Sequence, residues 1–486
     1  MVSFKLVDRG LGFISTLVLA RLLVPADFGL VAMAMILIGA LQLLISFSFD
    51  VPLIQNPNAG RDQFDTAWTF NALFATVCGV ALAALAIPAA HFYREPRLEA
   101  VIYLLAVGFA LQGFSNIGPV IFRREMRFDR EFKFLLGKRM ASLCVTIPLA
   151  FYLRNYWALV IGQLAGTVVS VLLSYMVSDY RPSFSLKAKV ELFHSSKWLM
   201  INNIVHFLNG RSAEFILGRL SGPQALGVYT ISSEISTLPT TELVAPINRA
   251  AFPGYAKAAT DIAQLGKSFL NVISMIALFA LPAGIGIVSI ADLMIPVVLG
   301  DKWLEAIPLI QILAICGVIQ AVQTNIGYVY MAVGSPKLIT LIAGLQLLVL
   351  LALLIPGIYY GAAIGAAWAF LACAVIMIPV NQILVARRLD LSGTDFILKI
   401  LRPLIASLAM SAVIWILKTN LGVPETALAH LWMLVACVAA GAAVYAFSIY
   451  GLWVLASRPE GAERISFLQI EHGLRKLGIR ISLVGS

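Results

Sequence analysis

The sequence contains few charged residues, and this excludes an ordinary soluble protein. Asp, Glu, Lys and Arg make up 12% of the 486 residues, whereas hydrophobic residues make up 60%. Soluble domains carry about 25% charged residues. The composition therefore predicts an integral membrane protein. The net charge of +10 is what the Lys and Arg of cytoplasmic loops produce, and no nucleic-acid-binding motif accompanies it, so nucleic acid is not expected as a partner.

Cysteines and catalytic motifs are also scarce. The five cysteines lie far apart in apolar stretches and form no CxxC pair, so we expect neither disulfides nor a metal site. The sequence has no Walker A, HExxH or GxSxG motif, and the predicted outer loops are too short to hold a folded domain. We therefore expect no bound cofactor, no ATP hydrolysis and no enzymatic activity.

Long apolar stretches dominate what is present. About 20 apolar residues cross a bilayer as an α-helix, and such runs are too long for barrel strands. The sequence predicts an all-α polytopic membrane protein with about 14 transmembrane helices. The predicted spans are 4–23, 28–48, 66–90, 98–121, 134–153, 156–178, 195–218, 224–247, 268–290, 304–330, 336–356, 361–384, 397–418 and 428–455.

The distribution of Lys and Arg predicts the orientation. Most of these residues fall in alternate loops, which indicates an even number of helices with both termini in the cytoplasm. We expect two six-helix lobes, a basic linker that includes an amphipathic segment, an extra helix pair and a basic cytoplasmic tail. Their predicted ranges are 1–180 and 198–390 for the lobes, 181–197 for the linker, 391–455 for the pair and 456–486 for the tail.

One turn of the chain occurs twice. The segment 19–29 recurs as 217–227, with Leu, Arg, Leu, Pro and Gly in the same order. Each copy joins two predicted spans, and both copies follow an odd-numbered helix. The two halves are therefore predicted to be parallel repeats about an axis along the membrane normal, an arrangement that is common in carriers. The repeated glycines would let helices approach closely.

The seventh predicted helix is unusually polar. A charged side chain at the centre of a membrane helix costs about 2.5–3.5 kcal/mol on insertion scales, so such residues mark transport pathways. We predict that this helix lines a hydrated cavity. Alternatively, Arg211 and Glu214, three residues apart, only neutralise each other. The polar residues are Asn202, Asn203, His206, Asn209, Arg211 and Glu214.

Three further charged residues have two interpretations each. Glu234, near the middle of the eighth predicted helix, could be the partner of a cation, a proton or Arg211, or it could form a structural pair with another helix. Arg21 and Arg219 occupy the repeated turn. They could bind an anion, but capping of helix C-termini, where the helix dipole favours a cation, is the preferred interpretation.

Several motifs resemble a known family. Leu-x-Arg-Leu-Leu-x-Pro-x-Asp-Phe-Gly-Leu, at residues 19–30, resembles the polysaccharide transporters of the multidrug/oligosaccharidyl-lipid/polysaccharide flippase superfamily. The Wzx-type branch is the most similar. The other matching segments are 53–55, 122–128, 218–229 and 250–257.

The resemblance implies a function. It implies two lobes around a central cavity and a flippase for undecaprenyl-pyrophosphate-linked oligosaccharide in the bacterial inner membrane, serving O-antigen, capsule or exopolysaccharide export. It implies alternating access driven by an ion gradient, with H⁺ or Na⁺ as the ion, and polysaccharide assembly proteins and membrane lipids as partners. Arg211, with Arg21 and Arg219, matches the basic residues that hold pyrophosphate in the family.

The remaining roles and the rival functions follow from this assignment. Asn202, Asn203, His206 and Asn209 would bind sugar hydroxyls, and Glu214 or Glu234 would release the phosphate through a proton or sodium ion. A drug or metabolite antiporter of the same superfamily is the alternative, although Arg211 does not suit a site for hydrophobic cations. A membrane polymerase or ligase would need a long outer loop with paired Arg or His.

Overall fold

The computed structural model describes residues 2–45, 53, 60–187, 197–422, 426–459 and 461–476. Within these ranges, all regular secondary structure is helical. A short 3₁₀ turn spans Asp301–Trp303. The helices are α1 Val2–Leu22, α2 Pro25–Ile45, α3 Arg61–Ala84, α4 Ala86–Tyr93, α5 Arg97–Gln112, α6 Val120–Arg124, α7 Phe128–Leu153, α8 Trp157–Val177, α9 Lys197–Ala258, α10 Ile262–Val298, α11 Ala306–Ala332, α12 Pro336–Leu389, α13 Gly393–Leu421, α14 Ala427–Leu455 and α15 Ala462–Lys476.

Two of these helices reverse direction at a single non-helical residue. In α9 that residue is Gly222, with φ 77° and ψ −176°; in α12 it is Ala362, with φ 45° and ψ −127°. Eight residues of continuous helix would place Gly357 and Gly365 about 12 Å apart. Instead, a Cβ on Gly365 would overlap the carbonyl oxygen of Gly357. In α9, likewise, a Cβ on Gly218 would lie 3.3 Å from the side chain of Leu226, eight residues later. Each helix is therefore a hairpin of two arms, 197–221 and 223–258 in α9, and 336–361 and 363–389 in α12.

The hairpins account for the number of membrane crossings. In the described part of the chain, nine segments are long and apolar enough to span a membrane, and one of them, Lys337–Leu389, contains the reversal at Ala362. The two arms of α9, together with α1 and α5, are more polar or shorter. With these included, the protein is an all-α polytopic membrane protein whose architecture agrees with the predicted count of about 14 helices.

Some predicted boundaries differ from the observed ones. The predicted span 66–90 begins earlier, at Arg61, and is interrupted at Leu85 between α3 and α4, whereas the predicted span 98–121 ends at Gln112. The tail contains the amphipathic helix α15, which the sequence analysis did not predict because its charged residues obscured a short apolar face. The predicted amphipathic segment of the linker is not helical over residues 181–187, and 188–196 lie outside the described residues.

The chain forms two compact units, Met1–Thr230 and Ile231–Ser486. In the first unit, α7 packs along α8, and α5 packs against both α3 and α8. In the second unit, α10 is the central helix and contacts α11, α13, α14 and α15. Its buried face, which includes Phe269, Ile273 and Ile276, meets residues of α9, α11 and α12. The predicted domain limits at 180, 197 and 390 stay predictions.

One end of the first unit is fixed by a buried carboxylate. Asp65, 3% exposed in α3, accepts hydrogen bonds from the Tyr180 hydroxyl, from the Ser183 amide at 2.9 Å and from the Ser183 hydroxyl at 2.7 Å. Burial and the hydrogen bond to Asp65 raise the pKa of Tyr180 far above its usual value. The hydroxyl therefore stays a proton donor, and the chain after α8 is attached to the start of α3.

We expect Asp65→Ala to lower the free energy of unfolding by about 1–3 kcal/mol, because buried donors lose their acceptor. Tyr180→Phe removes one hydrogen bond and leaves the two from Ser183 intact. Tyr180→Phe should therefore lower the free energy of unfolding by only about 0.5–1.5 kcal/mol. The apparent melting temperatures of the detergent-purified variants would measure both effects. Equal melting of Asp65→Ala and the unaltered protein would contradict the structural role of this carboxylate.

Candidate functional site

The first arm of α9 carries the charged pair that the sequence analysis selected. Nη1 of Arg211 lies 2.5 Å from Oε2 of Glu214, one helical turn away. The ion pair of the alternative interpretation is therefore present. Its two members differ in access, since the Arg211 side chain is 49% exposed and that of Glu214 only 10%. The carboxylate is fixed inside the protein, while the guanidinium keeps an open side on which it could meet an anion.

The uncharged polar residues of this arm differ from one another in exposure. The side chains of Asn203 and His206 are exposed. The amide nitrogen of Asn209 donates to the carbonyl oxygen of Val205 at 3.0 Å, within its own helix. Asn203 lies eight residues from Arg211, about 12 Å along the helix axis. A ligand that contacts both must therefore be extended. The Asn202 side chain lies outside the described residues.

An aromatic cluster of α4 supports the end of this arm. The ring of Phe215 stacks on Phe92 with centroids 5.2 Å apart, and it meets Tyr93 edge-on at 6.0 Å. Tyr93 is 3% exposed, and its hydroxyl interacts electrostatically with Glu214. Within the described residues this hydroxyl has no hydrogen-bond partner. Local sequence patterns do not reveal this cluster, because its residues in α4 and α9 are more than 100 positions apart.

The two arginines of the repeated turn lie outside this pair. The guanidinium of Arg219 lies 5.3 Å from the centroid of the Phe92 ring, a cation–π contact. This contact supports a structural role for Arg219. Arg21 lies in the last turn of α1 with its side chain exposed, and it has an interaction partner of its own. An anion-binding role for either residue stays a prediction.

The two copies of the repeated turn are in contact with each other. A Cβ placed on Gly29 would overlap the carbonyl oxygen of Pro223, and a Cβ on Gly227 would overlap that of Pro25. The same two Cβ positions lie 2.9 Å from the backbone nitrogens of Gly227 and Gly29, respectively. The contact is therefore reciprocal, as at a twofold axis. Only glycine permits this approach of α2 and the second arm of α9.

Further polar contacts join the turns at the same end of the first unit. Asp27, 6% exposed, accepts from the Val24 amide at 3.2 Å and from the Tyr156 amide at 3.1 Å. Cζ of the Arg97 guanidinium lies 5.9 Å from the centroid of the Tyr156 ring. The guanidinium also donates to Glu95 at 2.7 Å, and this hydrogen bond lowers the pKa of Glu95. The turns at this end of the unit are accordingly held together by several independent contacts.

The second unit contains Glu234 and a set of buried amides. Glu234 is exposed on the second arm of α9 and has interactions. Elsewhere in this unit, side chains that are distant in sequence form hydrogen bonds that join α9, α11 and α12. An isolated Asn in an apolar run gives no signal of its partner, so the sequence analysis missed most of these. The pairs are Asn248–Thr324 at 3.0 Å, Tyr255–Asn325 at 3.0 Å and Gln323–Asn381 at 2.5 Å.

Comparison with known proteins shows relatives in polysaccharide biosynthesis. TuaB, a teichuronic acid biosynthesis protein of Bacillus subtilis (strain 168), is 25% identical over 417 residues, which are 84% of this chain and 84% of the relative. The lipopolysaccharide biosynthesis protein WzxC of Escherichia coli (strain K12) is 25% identical over 327 residues, 66% of each chain. The succinoglycan biosynthesis transport protein ExoT of Rhizobium meliloti (strain 1021) is 22% identical and covers 90% of this chain and 88% of its own.

Solved structures share the fold. The lipid II flippase MurJ, in an inward closed conformation, superposes with a TM-score of 0.75 at 13% identity over 94% of this chain and 99% of its own. An inward-facing multidrug resistance transporter of the MATE family gives a TM-score of 0.56 at 13% identity over 79% of this chain and 96% of its own. The model of the family described as polysaccharide biosynthesis protein matches residues 18–308, more than half of the chain. The chain therefore belongs to this polysaccharide biosynthesis protein family, as its motifs indicated, and has the fold of multidrug/oligosaccharidyl-lipid/polysaccharide superfamily members.

Proposed function

We propose that the protein is a flippase that moves a lipid-linked oligosaccharide with a pyrophosphate linkage from the cytoplasmic to the outer leaflet of the bacterial inner membrane. The names of TuaB, WzxC and ExoT, all concerned with bacterial polysaccharides, support this substrate class. The fold shared with the lipid II flippase supports the type of movement. Within the family, transport rather than an enzymatic reaction is the activity proposed for this chain.

The half-exposed guanidinium of Arg211 carries the proposal. A pyrophosphate diester brings about two negative charges, and transferring one ion into a dry medium costs on the order of 20 kcal/mol in the idealised Born estimate. A cation within a membrane helix reduces this cost. The open side of Arg211 would hold the phosphate, while Asn203, His206 and Asn209, with Asn202, would hydrogen-bond to sugar hydroxyls, which must stay paired in a low dielectric.

Glu214 supplies a means of release. It already binds Arg211 at 2.5 Å and competes with phosphate for the same guanidinium. A proton taken up by Glu214 would weaken this ion pair and favour binding of the substrate, whereas loss of the proton would restore the pair and favour release. Sodium at a carboxylate, Glu214 or Glu234, is the other form of coupling. Both termini would lie in the cytoplasm, as the distribution of Lys and Arg predicts.

The contact between the repeated turns at Gly29 and Gly227 would close one end of the transport pathway. Alternating access requires that the pathway open to one side at a time, so packed turns at one end must separate when that end opens. A contact between two backbones involves no side chain that must rearrange, and it can form and break repeatedly. Binding of the headgroup near Arg211 and parting of these turns would then be successive steps of one cycle.

We expect Arg211→Ala to reduce flipping about 10- to 100-fold. A hydrogen bond to a charged group is worth about 1.5–3 kcal/mol, and 1.4 kcal/mol corresponds to a factor of ten. Arg211→Lys should retain part of the activity, because it keeps the charge. The measurement is the appearance of a labelled lipid-linked oligosaccharide in the outer leaflet of proteoliposomes.

Arg249→Ala is the matched control, because Arg249 is an exposed arginine of the same helix whose Nε bonds to the carbonyl of Ala245. This variant should flip normally. Normal flipping by Arg211→Ala would remove the proposed phosphate site. If the Arg211→Ala variant transported a cationic dye and still flipped the lipid-linked oligosaccharide normally, the site would instead suit hydrophobic cations, as in a drug antiporter.

We expect Gly29→Ala and Gly227→Ala each to reduce flipping and to lower the melting temperature, because a Cβ at either position overlaps a proline carbonyl. Because both residues form one contact, the double variant should lose less flipping activity and less melting temperature than the sum of the two single losses. Gly210→Ala is the control: it lies on the first arm of α9, and no atom lies within 4 Å of its added Cβ. Additive losses from Gly29→Ala and Gly227→Ala would mean that the turns do not act as one contact.

A further inference from the structure

A basic cavity in the second unit is not used by the proposed transport site. It has a volume of about 610 Å³ and lies between α10, α13 and α15. Its polar lining comes from Lys267 and Asn271 of α10, Lys399 of α13 and Arg464 of α15, and its apolar lining includes Ile465 and Leu468 of α15. Three cations thus line one cavity with apolar side chains beside them.

The wall formed by α15 is fixed in place. The ring of Phe467 packs edge-on against Tyr450, with centroids 5.4 Å apart, and in a tilted orientation against Trp453, with centroids 5.2 Å apart. Glu463, whose side chain is 1% exposed, forms an ion pair with Arg402 of α13 at 3.3 Å. These contacts attach α15 to α13 and α14. The cavity is accordingly a built part of the unit, and its shape does not depend on a loose tail.

The charges in the cavity are of one sign. In the parts of the chain that the structure describes, no carboxylate lies within ion-pair distance of Lys267 or Lys399. Glu463, the acidic residue at the start of α15, is occupied by Arg402. Like charges that share a cavity repel each other, and an anion between them removes this repulsion. The electrostatics therefore favour an anionic ligand.

The position of the cavity identifies the kind of anion. Lys267 and Lys399 lie five and six residues after the first residues of α10 and α13, about 8–9 Å along each helix. Both lysines therefore lie within the first two turns of helices that are long and apolar enough to cross a membrane, and long basic side chains near the ends of such helices reach the membrane interface. The apolar side chains of Ile465 and Leu468 are 47% and 46% exposed, as expected for an amphipathic helix that lies in the membrane interface. A ligand that suits the lining has a phosphate and hydrocarbon chains.

We infer that this cavity binds the headgroup of an anionic phospholipid. The phosphate lies among Lys267, Lys399 and Arg464, the amide of Asn271 is available to its oxygens or to the glycerol, and the acyl chains follow Ile465 and Leu468. Basic pockets between membrane helices are known to hold anionic headgroups in this way. The site is separate from Arg211 and does not depend on the transport proposal.

The test uses the full-length protein in detergent, from which bound lipid has been removed. The protein is titrated with phosphatidylglycerol or with phosphatidylcholine of the same acyl chains. Native mass spectrometry counts the lipid molecules that remain bound. We expect phosphatidylglycerol to bind preferentially. Lys267→Gln combined with Lys399→Gln should weaken its binding about tenfold or more, since each basic residue near an anionic surface contributes appreciably. Lys267→Arg with Lys399→Arg should keep the binding.

Lys257→Gln combined with Lys302→Gln is the control, because it removes the same charge from exposed lysines that do not line the cavity. It should bind phosphatidylglycerol normally. Unchanged phosphatidylglycerol binding by the Lys267/Lys399 double variant, or equal binding of both lipids, would overturn the inference. Inorganic phosphate and pyrophosphate form a further arm: displacement of the lipid by either at equal concentration would assign the cavity to a soluble phosphate instead.

Discussion

The contact between the two repeated turns is the constraint on which the first unit depends. Gly29 and Gly227 bring two backbones so close that each faces the carbonyl of the proline that begins the other helix. A reciprocal contact requires the same residues on both sides, and this explains why Pro and Gly recur 198 residues apart. Asp27 does not recur, since Ala225 stands at the equivalent position. Its carboxylate joins α2 to the chain before α8 through Tyr156, and Ala225 has no side-chain acceptor with which to form such a contact.

The repeat also bears on the proposed phosphate site, because Arg211 lies outside the repeated turn. Arg21 and Arg219 belong to the repeated turn, and Arg219 lies over the Phe92 ring. Arg211 and Glu214 have no counterparts in the first copy, where Phe13 and Thr16 stand. Symmetry therefore gives no structural reason for the ion pair. Phe215, next to Glu214, packs against the rings of Phe92 and Tyr93. An ion pair that the repeat does not require, and that leaves a guanidinium half exposed, supports the proposal that Arg211 meets a charge on the transported molecule.

The sequence predicted the features that depend on local patterns. Apolar runs of about 20 residues and the repeated turn were sufficient for the helical architecture, and the clustering of polar residues located the first arm of α9. What it could not predict depends on pairing between distant residues. Asn248 and Asn325 look like isolated amides in apolar runs, and only the packing of α9 on α11 shows that they hydrogen-bond to Thr324 and Tyr255, respectively. The polar arc of α9 also could not reveal which of its residues remain accessible, because that depends on where α4 covers it.

The treatment of charge differs between the interior of the helical units and their ends. Inside, each carboxylate described above has a donor nearby: Asp65 has Tyr180 and Ser183, Glu214 has Arg211, and Glu463 has Arg402. Such pairing is required where water cannot solvate an ion. At the cavity beside α15, lysines lie together without a carboxylate at ion-pair distance. Lys267 is exposed and Lys399 only partly buried, so their charges can be balanced from outside the protein, and the inferred source of that balance is an anionic lipid headgroup.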